Sequence, residues 1–130
     1  MRKDTKNFLL SSDYDLETAK HMHKSRRYVY VIFMCHMAIE KVLKAIVAEK
    51  FRKTPPKTHN LLYLLIQIDV NIPQDIFDFI SKINNVGVVT RYPEDFNKLL
   101  ESYPKKISNH YLKQTKEAIS WLKQNERLIQ

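Results

Sequence analysis

The sequence predicts an all-α fold, a compact up-and-down bundle of about five helices around one long central helix. Three observations predict it. No Gly or Pro occurs between Met1 and Thr54, so nothing local interrupts a helix there. From Arg27 to about Phe51, the residues Tyr28, Val31, Ile32, Cys35, Ile39, Val42 and Ile46 recur at spacings of three and four, which is one face of a helix. The chain holds a single glycine, Gly87, too few for the tight turns of a sandwich or barrel and too few for a Gly-rich phosphate loop.

Taken in order, Met1–Leu10 is basic and reads as a frayed start, with Phe8, Leu9 and Leu10 available to pack on a bundle. Ser11 or Ser12 reads as an N-cap, because Asp13, Asp15 and Glu17 then fall in the first turn and complement the helix dipole. The first helix is therefore expected from about Asp13 to Lys24, with Tyr14, Leu16, Thr18, Ala19, His21 and Met22 on its apolar side. His21 and His23 are two apart and point to nearly opposite faces, a poor metal pair. The central helix follows. Val29, Phe33, Met37, Leu43 and Val47 add a second apolar stripe, and a helix apolar nearly all round must be surrounded by other elements. The run Tyr28–Cys35 has strand-like residues, but the pattern lasts about seven helical turns, longer than strands run.

Pro55-Pro56 ends that helix, and Thr58 reads as the N-cap of a third, which carries Leu61, Leu62, Leu64, Leu65, Ile66 and Ile68. Pro73 suits the first turn of a fourth helix, Gln74 to Asn84, ended by Asn84-Asn85 and Gly87. Val86–Val89 reads as a short extended piece, Thr90–Asp95 as a loop before and after Pro93, and Phe96–Leu100 as a short helical turn. The last helix is expected from about Lys105 to Glu126, with Ile107, Tyr111, Leu112, Thr115, Ala118, Ile119 and Leu122 facing inward. Trp121 lies off that stripe, facing a neighbouring helix or a partner.

At 130 residues the chain matches one domain, 1–130, with enough length for a core that needs no disulfide or metal. Lys and Arg number 22 against 14 acidic residues, a net charge of +8, and the sequence pI is near 9.6. A basic surface attracts polyanions, nucleic acid among them, although Lys-rich surfaces also serve solubility alone. Cys35, in an apolar run, reads as a small buried hydrophobe in a reducing compartment. The N-terminal stretch lacks the apolar run of a signal peptide. The long apolar segment contains His36, Glu40, Lys41 and Lys44, which argues against a membrane span. These features point to the cytoplasm, with no membrane partner.

The central helix also carries a polar seam. His36, Glu40 and Lys44 are spaced by four, Lys41 lies beside them, and Glu40 precedes Lys44 in the favourable order for an ion pair. It reads either as the solvated edge of a core helix or as a charged site meeting a ligand. Four stretches in order then resemble the HEPN family of small helical bundles. They are Tyr14–Lys20, His36–Ala45, Pro56–Leu61 and Thr90–Asp95. Two departures stand out: Cys35-His36-Met37 where the family favours Gln-Ala-Ala before Glu-Lys, and His59-Asn60-Leu61 where His-Asp-Leu is commoner. The resemblance implies a homodimer packed through long helices. It also implies a nucleotidyltransferase partner, often in a toxin–antitoxin pair. No cofactor is expected.

The resemblance further implies that ribonuclease members use an Arg followed four to six residues later by a His, cleaving RNA without metal. Arg91 sits in the expected region, but no His follows at that spacing, and His110 is nineteen residues on. Asp95 offers a carboxylate there, a weaker acid catalyst at neutral pH. Arg52 and His59, with six residues between them, satisfy the spacing but flank Pro55-Pro56. The binding reading uses Arg91 to grip phosphate and Tyr92 to stack on a base, with Asp95, Glu40, Lys41 and Lys44 facing the same cleft. Lys105, Lys106, Lys113 and Lys116, near Tyr103 and Tyr111, read as an RNA contact or as a solvated helix face. The first functional expectation is a nucleotide- or RNA-binding subunit. The alternatives are a metal-independent endoribonuclease toxin and a protein-interaction subunit without ligand.

Overall fold

The computed structural model describes residues 1–91 and 94–126, with the backbone alone over 87–91. Among the described residues there are six helices and no strand: α1 (Lys3–Lys24), α2 (Tyr28–Phe51), α3 (Leu61–Ile68), α4 (Gln74–Arg91), α5 (Phe96–Ser102) and α6 (Lys105–Asn125). The all-α bundle organised on one central helix is what the sequence predicts. Helix α2 touches every other helix, packing most extensively on α1, then α6, α3 and α4. From Ala38 to Ala48 every residue of α2 is buried except Lys41. Around it lie Leu61, Leu64 and Ile68 of α3, Ile80 and Ile83 of α4, and Tyr111, Ile119 and Leu122 of α6. Trp121 packs, half-buried, against the same core.

Helix α1 begins ten residues earlier than the acidic first turn suggested, and Ser12 is not a cap. Ser12 is buried in mid-helix and its hydroxyl donates to the Ala38 carbonyl oxygen at 2.8 Å. The extra turns are held by tertiary contacts. The Arg2 backbone N–H and the Thr5 hydroxyl both donate to Glu49 Oε1, at 3.0 and 3.1 Å, and Phe8 and Leu9 pack on the core. The inner face of α1 is Thr5, Ser12, Asp15 and Ala19, while Tyr14 faces solvent at 76 % exposure. A hydrophobicity pattern misses such a face because its polar members are satisfied by partners on α2.

The cap of α3 is Asn60, whose side chain accepts from the Leu62 and Tyr63 N–H groups, and Thr58 instead accepts from the Asn60 N–H at 3.1 Å. Helix α4 does not stop at Asn84-Asn85, and no extended piece follows: the helix runs on through Arg91. Asn84 is spent on tertiary bonds, accepting from the Leu61 N–H at 2.8 Å, and so docks α4 on the start of α3 rather than terminating a helix. The expected short turn is the full helix α5, capped by Asp95, which accepts from the Lys98 N–H at 3.1 Å.

Candidate ligand-binding site

The polar seam of α2 is a buried cluster built around Glu40. Glu40 is 1 % exposed. Its Oε2 accepts from the Lys44 ammonium at 3.2 Å, and its Oε1 lies 2.9 Å from His59 Nδ1 and 3.9 Å from His36 Nδ1. A carboxylate is acceptor-only, so His59 carries its proton on Nδ1 in this contact. His59 thereby pins the α2–α3 connection to the central helix, while the rest of its ring is in water at 64 % exposure. Lys41 turns the other way. Its ammonium contacts Asp15 at 2.9 Å and the Ser11 hydroxyl at 2.7 Å, joining α2 to α1. Lys41 and Lys44 therefore serve two different sides of α2, and both charges are compensated inside the fold.

The other residues singled out from sequence are spread over the molecule. Arg52 is the C-cap of α2 in the left-handed conformation, φ 52°, beside Glu49. Glu40, which holds His59, lies twelve residues back along the helix, about 18 Å at the helical rise. Arg52 and His59 are thus placed at different levels of α2 and are not brought together. Asp95 is occupied as a helix cap. Tyr92 and the Arg91 side chain lie outside the described residues. Burial pushes the Cys35 thiol up to about 12, so no thiolate nucleophile exists there near neutral pH. Among the described residues no group of three or more His, Cys, Asp or Glu side chains is arranged to hold a metal ion.

Four exposed lysines share one face of α6. Lys105, Lys106, Lys113 and Lys116 are all exposed and fall within a sector of about 100° of the helix. None of the four makes an ion pair among the described residues, whereas Lys123 reaches Asp13 at 2.8 Å. Glu117 borders the sector. At one edge of this face, α4, α5 and α6 enclose a concavity of about 360 Å³, lined by Lys82, Tyr103, Lys106, Ile107, His110 and Tyr111. The Lys82 ammonium sits 5.1 Å from the centre of the Tyr111 ring, and the Tyr103 and Tyr111 rings meet edge-on at 6.3 Å. Burial pushes the Tyr111 phenol up to about 12, with the neighbouring Tyr103 adding to it, and burial also raises Tyr103. Both rings are neutral hydrogen-bond donors at physiological pH. Sequence reasoning found the lysines of α6 and the two tyrosines, but missed Lys82 and His110 as members of the same hollow. Lys82 is on another helix and reaches the hollow only through the packing of α4 on α6.

A small helical bundle with a buried charged seam and a basic, aromatic-edged face on α6 is the class of protein these features define. The chain belongs to the HEPN domain family, whose model matches residues 5–129. Two solved structures share the fold. TT1696 from Thermus thermophilus aligns with a TM-score of 0.79 at 18 % identity, over 95 % of this chain and 98 % of that one. ST0689, an archaeal HEPN homologue, aligns with a TM-score of 0.75 at 20 % identity, over 97 % and 99 %. No curated protein matches the chain. No helix of the described residues is long and apolar enough to cross a membrane.

Proposed function

We propose that this protein is an RNA- or nucleotide-binding HEPN subunit that acts as a homodimer with a nucleotidyltransferase partner in a toxin–antitoxin pair. The observation that carries the binding half is the row of exposed lysines on α6, Lys105, Lys106, Lys113 and Lys116, none of which makes an ion pair among the described residues. Cations without carboxylate partners are free to replace the counterions of a phosphate backbone. The phosphate-gripping role of Arg91 and the stacking role of Tyr92 belong to the same reading. The homodimer and the nucleotidyltransferase partner are supported by family membership alone.

The test is a titration with labelled single-stranded RNA between about 50 and 200 mM salt. Four lysine–phosphate contacts give a slope of about −3 for log affinity against log salt. Lys113→Glu/Lys116→Glu should weaken binding at least tenfold and flatten that slope. Binding without salt dependence, or unchanged by these substitutions, rejects the reading. The same RNA incubated in EDTA reports cleavage. Cleavage that disappears in Arg52→Ala, His59→Ala or Arg91→Ala makes the protein a metal-independent ribonuclease instead. A solution mass of 15.5 kDa by light scattering rejects the homodimer.

A further inference from the structure

We propose that the concavity between α4, α5 and α6 binds a single nucleotide unit, its base on Tyr103 over Ile107 and its phosphate between Lys82 and Lys106. The inference rests on the polyanion-binding reading and assigns it one pocket. Three observations lead to it. The first is size: about 360 Å³ lies at the small end of ligand pockets and holds one nucleotide, not a run of them. The second is charge. Lys82 from α4 and Lys106 from α6 enter from two helices and neither meets a carboxylate among the described residues. A purely apolar occupant would leave two ammonium groups idle at its edge. The third is the aromatic wall. Tyr103 is half-buried with a ring edge on Tyr111, and Ile107 is 39 % exposed beside it, so an apolar plane is open next to the cations. Inorganic phosphate alone would have no use for that plane.

Tyr111 is a positioning residue and not a contact. It is 2 % exposed, its ring lies 5.7 Å from Phe79, and Lys82 rests against it. That cation–π contact fixes the ammonium at the mouth of the hollow, so less of its rotamer freedom is lost when a phosphate arrives. His110 lies one turn after Lys106 on the same side of α6, with its ring 6.4 Å from Tyr111, and supplies a further donor at the rim. The shared chemistry, an aromatic base carrying a phosphate, can come from a free nucleotide or from the phosphorylated end of an RNA.

Calorimetric titration of the full chain with adenosine monophosphate, adenosine and inorganic phosphate tests the assignment. The monophosphate should bind at least tenfold more tightly than adenosine or phosphate alone. Tyr103→Leu and Lys82→Met should each weaken it at least fivefold, the scale of losing one stacked base or one phosphate cation. Lys57→Met, an exposed cation on the α2–α3 connection, should leave it within twofold. Thermal unfolding of each variant confirms that it is folded. Tyr111→Phe keeps the ring that Lys82 rests on and should bind normally. A monophosphate that does not bind, or that binds Tyr103→Leu as well as wild type, overturns the assignment. RNA binding that survives in that case leaves the basic face of α6 standing. Monophosphate binding without RNA binding does the reverse. Competition by a short RNA with a 5′-phosphate, and none by its 5′-hydroxyl form, identifies the strand end as the source.

Discussion

The buried pair Glu40–Lys44 makes a demanding prediction about stability. Glu40→Gln preserves shape and leaves an amide oxygen to accept from His59, but it removes the negative charge facing Lys44. The Lys44 side chain is 11 % exposed and the Glu40 side chain 2 %, so the lysine is left nearly buried without a counter-charge. Removing one member of a buried pair typically costs about 3–5 kcal/mol. The remaining exposure of Lys44 lets it reach water in part, which places the expected loss near the lower end, about 3 kcal/mol. For a chain of 130 residues that corresponds to a fall in Tm of roughly 10–15 °C. Replacing both partners, Glu40→Met with Lys44→Met, removes the unpaired charge altogether and should return stability to within about 1 kcal/mol of wild type. His59 tolerates the double change because its exposed ring finds water instead. Urea unfolding followed by circular dichroism measures Glu40→Gln, and the single variants Glu40→Met and Lys44→Met with their double close a double-mutant cycle. Simple additivity of the two single losses, or a Glu40→Gln cost below about 0.5 kcal/mol, refutes the claim that these charges are mutually dependent inside the fold.

Other expectations follow from single contacts. Asn60→Ala removes the cap of α3 and should lower stability by about 1–2 kcal/mol, read as a shift in urea midpoint with unchanged m. Glu49 sits below the usual carboxylate range, chiefly because the Arg2 backbone N–H donates to it, with the Thr5 hydroxyl also donating. A depressed folded value means the contact is fully present above the unfolded value and is lost as pH falls through the folded one. Amide exchange in the first turn of α1, corrected for intrinsic rates, should therefore accelerate as the pH falls below the ordinary glutamate range, and Glu49→Gln should abolish that dependence. Cys35 is 0 % exposed with its thiol at about 12, so a thiol reagent near pH ~8 should label it only after denaturation; labelling of the native protein at the rate of a free thiol would mean the α2 core opens readily.

What the sequence determined by itself is the set of helices and the identity of the central one. Apolar spacing is a local property, and α2 announces its burial through residues from Tyr28 to Val47 that need no knowledge of their neighbours. Pro55-Pro56 and Pro73 likewise mark breaks by backbone chemistry alone. The lysines of α6 were legible for the same reason, since all stand on one helix. Tertiary structure decided the helix ends and the partners of polar side chains. Ser12 looks like a cap until the Ala38 carbonyl is placed against it, and Asn84 looks like a terminator until α3 offers the Leu61 N–H. Lys41 and Lys44 look like one cationic patch until Asp15 and Glu40 draw them to different sides of the helix. A hydrogen bond or ion pair between distant segments depends on where two helices cross, and no local pattern encodes that crossing. The hollow that joins Lys82 to Tyr103 and Lys106 exists only because α4, α5 and α6 meet there.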